Sequence, residues 1–67
     1  MRNRIKALRE QKNISQGKLA EQCDVSRQTI NAIENDKYDP SLPLAFAISE
    51  VLEVTIEQLF IYERKKP

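Results

Sequence analysis

Apolar residues in this chain recur at helical spacing, and polar residues that suit helix ends interrupt them at short intervals. The pattern predicts a first helix from about Arg2 to Lys12, with Ile5 and Leu8 on one face, Arg9 beside them and basic residues around. Asn13 is its expected stop. Ser15 is the expected N-cap of a second helix whose buried stripe is Leu19, Ala20 and Cys23. Lys18 stands where a capping box needs Glu or Gln, so no box is expected, and Gly17 falls in the first turn. Asp24-Val25 is the next turn. Ser26 caps a third helix, its hydroxyl within reach of the N–H of Gln28 or Thr29. That helix ends near Asn35-Asp36, residue types that tolerate left-handed backbone. After a loop at Tyr38-Asp39-Pro40, Ser41 caps a fourth helix. Pro43 lies in its first turn, where a missing N–H is harmless. Leu44, Ile48, Val51 and Leu52 form its apolar face, and Glu53-Val54 closes it. Thr55 caps a short fifth helix with Glu57 and Gln58 in its first turn, followed by Leu59, Phe60 and Ile61. Phe60 to Glu63 is also able to pair as a short strand. The expected architecture is all-α, five helices in one domain over residues 1–62, with a polar, frayed tail over 63–67.

Composition narrows the function classes. With 67 residues the chain is one small domain that leaves much of its surface wet. One cysteine and no histidine exclude a disulfide within the chain and argue against a Cys/His metal site. A lone thiol fits a reducing cytoplasm, and Cys23 on an inward stripe reads as a small core hydrophobe. No apolar run is long enough to span a membrane, and no signal peptide is expected. A single glycine rules out a Walker or dinucleotide loop, and no nucleophile stands at motif spacing from a base. Neither an enzyme nor a cofactor or small-molecule ligand is therefore expected. The net charge of +1 says little alone, but its distribution is uneven. Residues 1–37 hold eight Lys or Arg against five acids, and residues 38–67 hold three against five, +3 and −2 respectively. One half thus suits a polyanion and the other does not.

The third helix carries the chemistry. At 3.6 residues per turn, positions 27, 28, 31, 32 and 35 share its outward face while Ile30, Ile33 and Glu34 turn inward. Arg27 suits guanine O6 and N7; Gln28 and Asn31 suit adenine N6 and N7; Ala32 suits a thymine methyl. Backbone positioning falls to residues at the helix ends: Gln16 and Lys18 on helix two, Ser26 and Thr29 at the start of helix three, and Asn35, Lys37 and Tyr38 past its end. Arg2, Arg4 and Lys6 are further candidates for phosphate contact if helix one points them that way.

Ile14-Ser15-Gln16-x-x-Leu19-Ala20, followed by Val25-Ser26-Arg27-x-Thr29-Ile30-x-x-Ile33-Glu34, resembles the Cro/cI-type (XRE family) helix-turn-helix regulators. The continuation Tyr38-x-Pro40-Ser41-Leu42-x-Leu44-Ala45, then Ile48, Leu52 and Leu59-Phe60, extends the likeness over nearly the whole chain. The resemblance implies a lambda-repressor-like domain with helix three in the major groove of double-stranded DNA, used as a homodimer on a palindromic operator. It also implies an internal ion pair between Arg9 and Glu34, which makes both structural rather than DNA-reading. Gly17 departs from the family, which usually has a good helix former there.

A module this small buries little on DNA alone, which favours two copies on half-sites about 34 Å apart. The expected subunit contact is Val54, Ile56, Phe60 and Tyr62, apolar residues gathered near the end of the chain, with Leu59 inside the core. The function expected is transcriptional regulation, most simply repression by occluding a promoter. An alternative is a protein-interaction module, such as the antitoxin of a toxin–antitoxin or phage control system, whose acidic C-terminal half neutralises a partner. Only a few tail residues are available for the flexible segment such antitoxins often add. RNA is a weaker fit, because a protruding helix does not enter the deep A-form groove.

Overall fold

Four hydroxyl side chains start four of the helices. The computed structural model describes residues 1–63, and in it α1 spans Ile5–Gln11, α2 Gln16–Gln22, α3 Arg27–Glu34, α4 Leu42–Leu52 and α5 Ile56–Leu59. The Ser15 hydroxyl accepts from the Lys18 N–H at 3.0 Å, Ser26 from Thr29 at 3.1 Å, Ser41 from Leu44 at 3.3 Å and Thr55 from Gln58 at 3.1 Å. At α5 the Gln58 side chain also accepts the Thr55 N–H, completing a capping box.

The C-terminal ends share one device. Asn13, Asp24, Asp36 and Glu53 all sit at φ between 56 and 59°, the left-handed region. At α3 the Asp36 N–H bonds to the Ile33 carbonyl and the Lys37 N–H to the Ala32 carbonyl, the two bonds of a Schellman motif. The chain's one glycine, Gly17, is not used for any of these turns.

Two features differ from the sequence pattern. The first helix begins at Ile5, not Arg2, because Arg2–Asn3 forms strand β1, antiparallel to β2 at Phe60–Ile61 with Asn3 opposite Phe60. Asn3 stands just before the N-cap residue Arg4, and its Oδ1 accepts the Ile5 N–H, the first of α1, at 3.1 Å. The strand foreseen over Phe60 to Glu63 is only its first two residues. Of the tail expected over 63–67, all but Glu63 lies outside the described residues.

Ile5, Leu19, Ala20, Cys23, Ile30, Ile33, Ile48, Leu52 and Leu59 form one core drawn from all five helices. Each fully buried Ile or Leu contributes about 1.5–3 kcal/mol. Burial pushes the Cys23 thiol up from its ordinary value, so it stays neutral at physiological pH.

One ion pair lies behind the core. Arg9 Nε donates to Glu34 Oε2 at 2.8 Å and Arg9 Nη2 to Glu34 Oε1 at 3.2 Å. Arg9 Nη1 donates to the Ile14 carbonyl at 2.9 Å, and Gln16 Nε2 donates to Glu34 Oε1 at 2.9 Å. The Glu34 side chain is only 3% exposed, so its charge is compensated inside the protein. The hydrogen bond to Glu34 is the main cause that raises the Arg9 pKa above its ordinary value, and Arg9 stays charged.

Removing the carboxylate leaves a buried guanidinium without a counter-ion. Glu34→Ala is therefore expected to cost about 3–5 kcal/mol, a large share of a small domain's stability, read by urea unfolding. A loss below about 1 kcal/mol would show the pair to be dispensable. Glu53→Gly is expected to act the other way. It relieves a left-handed glutamate worth about 1–2 kcal/mol and gives up only an exposed bridge to Lys12. Thermal unfolding should rise by several degrees; an unchanged or lower midpoint would refute the strain.

Candidate nucleic-acid interface

The α2 and α3 helices pack principally on each other, joined by the turn at Asp24-Val25. Burying Ile30 and Ile33 turns the opposite side of α3 to solvent. Arg27, Gln28 and Asn31 are exposed there, and with Gln16 they line a polar cleft of about 270 Å³. Among the described residues this face carries Arg27 and no carboxylate, because Glu34 lies on the inner side against Arg9. Ala32, expected to be outward, is half-buried and leaves only part of its methyl for contact.

The residues expected to position a backbone are placed less uniformly. Gln16 is half-buried and gives one amide hydrogen to Glu34, leaving the other hydrogen and the carbonyl at the cleft edge. Ser26 and Thr29 pair their hydroxyls at 2.9 Å. That bond uses one of two hydroxyl protons and leaves one for an outside acceptor. Lys18, Lys37 and Tyr38 are exposed. Asn35 folds back, its Nδ2 donating to the Asn31 carbonyl at 2.8 Å, which leaves one amide hydrogen. Arg2 lies on the ribbon and pairs with Glu63 at 3.2 Å.

Sequence reasoning did not foresee the Gln16–Glu34 bond. The two residues lie 18 positions apart, and no local spacing signals it. Nor did it foresee the hydroxyl pair, although Ser and Thr three apart at a helix start is a readable cue.

The apolar residues expected at a subunit contact divide. Val54 is half-buried and packs on the core, as does Phe60. Ile56 and Phe60 line a mainly apolar cleft of about 250 Å³ with Pro40, Leu42 and Ala45. Tyr62 is 76% exposed. Leu42 at 67% and Phe46 at 50% were not foreseen as exposed.

The family model for the helix-turn-helix matches residues 5–59. A protein of Methanocaldococcus jannaschii described as an uncharacterised HTH-type transcriptional regulator is 54% identical over 94% of this chain and 96% of its own length. The immunity repressor protein of Bacillus phage phi105 is 36% identical over 84% of this chain, which spans 39% of that longer protein. The N-terminal DNA-binding domain of SinR from Bacillus subtilis superposes with a TM-score of 0.78 at 30% identity, covering 92% of this chain and 91% of that one. With the family model over most of its length and a relative this similar, the chain belongs to the helix-turn-helix family, among its Cro/cI-type transcriptional regulators.

Proposed function

We propose that this regulator binds a palindromic operator in double-stranded DNA as a homodimer, with α3 in the major groove, and represses transcription by occluding a promoter. The observation that carries the reading is the outer face of α3, where Arg27, Gln28 and Asn31 stand exposed beside a cleft with no carboxylate among them. Arg27 pairs with a guanine and Gln28 or Asn31 with an adenine, each good bidentate contact worth about 1–3 kcal/mol of discrimination. Gln16, the Ser26–Thr29 hydroxyls and Lys18 serve the phosphates on one flank; Asn35, Lys37 and Tyr38 serve the other. Ala32 adds what its half-buried methyl still offers. Arg9 and Glu34 stay structural.

Repression is supported by the phage immunity repressor among the relatives. The homodimer is supported by the apolar cleft at Leu42, Ile56 and Phe60 and by exposed Tyr62, surface that a second copy would cover. Val54 contributes from behind, holding that surface on the core.

Duplexes selected from a random-sequence pool by the wild-type chain provide the test. Arg27→Ala and Gln28→Ala are each expected to flatten the preference at one base pair per half-site by about tenfold or more, with weak binding to unrelated DNA retained. Equal loss on every sequence would contradict base reading. Sedimentation tests the assembly. Phe60→Asp should shift the chain to monomer, and an intact dimer would move the contact away from this cleft.

A further inference from the structure

One side chain ties the ribbon to the reading helix. Asn3 Nδ2 donates to the Ile33 carbonyl near the end of α3 at 2.8 Å and lies 3.4 Å from Asp36 Oδ1. Its Oδ1 accepts the first N–H of α1, from Ile5. Its backbone stands opposite Phe60 in the two-stranded sheet, and the next residue, Arg4, donates its N–H to the Leu59 carbonyl at 2.8 Å. Among the described residues Asn3 is the one ribbon side chain that bonds to the backbone of α3. The principal packing of α3 is on α2, so this bond holds the far end of the helix against the element that carries Phe60.

We propose that Asn3 is a positioning residue that fixes the angle of α3 relative to the subunit contact and so sets the half-site spacing the dimer accepts. The inference rests on the dimeric reading above. In a two-fold dimer any slack between α3 and the contact enters twice, once per copy. Moving a half-site by one base pair shifts it by about 3.4 Å and turns it about one-tenth of a helical turn. Without that bond the end of α3 is held by α2 and by the Glu34–Arg9 pair to α1, neither of which ties it to the ribbon, so a small pivot against the ribbon accommodates part of that change. A helix also held at the Ile33 carbonyl does not pivot in this way.

The test uses the full chain with Asn3→Asp, which keeps an acceptor for the Ile5 N–H and removes the donor to Ile33. Asn3→Ser, which keeps a short acceptor and loses the reach, is read in its place if circular dichroism shows the first variant unfolded. Both are compared with wild type on duplexes carrying the selected half-sites at the preferred spacing, with one base pair added or removed at the centre, and on a single half-site. The variant should keep the single half-site affinity within about twofold. Its preference for the selected spacing should fall by about tenfold, the scale of one modest bond lost in each of two copies. An unchanged spacing preference overturns the proposal, whatever happens to the melting temperature, and leaves Asn3 as a local support for the start of α1 alone. A wild-type chain indifferent to spacing overturns the dimeric reading and this inference with it. That result appears before any variant is measured, so the two failures are distinguishable.

Discussion

The contact on which the rest depends is the buried pair of Arg9 and Glu34. It joins α1 to α3, and through the Ile14 carbonyl and Gln16 it reaches the end of the turn and the first residue of α2. Burying two charges costs several kcal/mol before any return. Arg9 offsets that cost by donating three times, twice to the carboxylate and once to the Ile14 carbonyl in the turn before α2. The arrangement also has an electrostatic consequence. A solvated carboxylate at position 34 would stand one turn from Asn31 and repel phosphates. Turned inward and matched by Arg9, it leaves the outer face of α3 with no negative side chain.

Around that contact the helices are kept short by their ends rather than by weak interiors. Each hydroxyl cap and each left-handed stop is local, which is why most of them are legible in the sequence. Ser15, Ser26, Ser41 and Thr55 stand before apolar periodicity, and Asn13, Asp24 and Asp36 are residue types that accept positive φ. Glu53 fits no such rule in its backbone state, since glutamate has no special tolerance for that region. It is held there because Val54 must turn back to bond the Ser49 carbonyl and present α5 to the core. The ribbon was harder to read. Two polar residues, Arg2 and Asn3, show no alternation, and they are a strand only because Phe60 and Ile61 lie beside them across almost the full length of the domain.

The same division runs through the interface. Arg27, Gln28 and Asn31 are legible because α3 has a clean apolar stripe at Ile30 and Ile33, which fixes the outward side by geometry. The α4 helix has no such contrast. Leu42, Leu44, Ala45, Phe46, Ala47 and Ile48 are all apolar, so a face drawn through Leu44 and Ile48 leaves the sides of Leu42, Ala45, Phe46 and Ala47 undecided. The structure exposes Leu42 and Phe46 and buries Ala45 and Ile48. Gln16 was legible as a polar residue at a helix start, but its bond to Glu34 depends on how α2 lies against α3, a tertiary fact.

Charge pairing shapes how an operator would be found. Arg2, Arg9 and Lys12 are each committed to a carboxylate. That leaves Arg4, Lys6, Lys18, Arg27 and Lys37 as exposed cations outside these ion pairs among the described residues. Each phosphate neutralised contributes about 0.9 to the slope of binding against salt. Each cation withdrawn into an internal pair lowers the attraction to arbitrary DNA by one such contribution. A weak background enlarges the ratio of specific to nonspecific affinity without any gain in tightness. Discrimination in such a molecule then falls to base-edge bonds and to the rigidity with which they are presented. In the proposed complex the second of these rests on Arg9, Glu34 and Asn3, whose side chains are bonded within the protein.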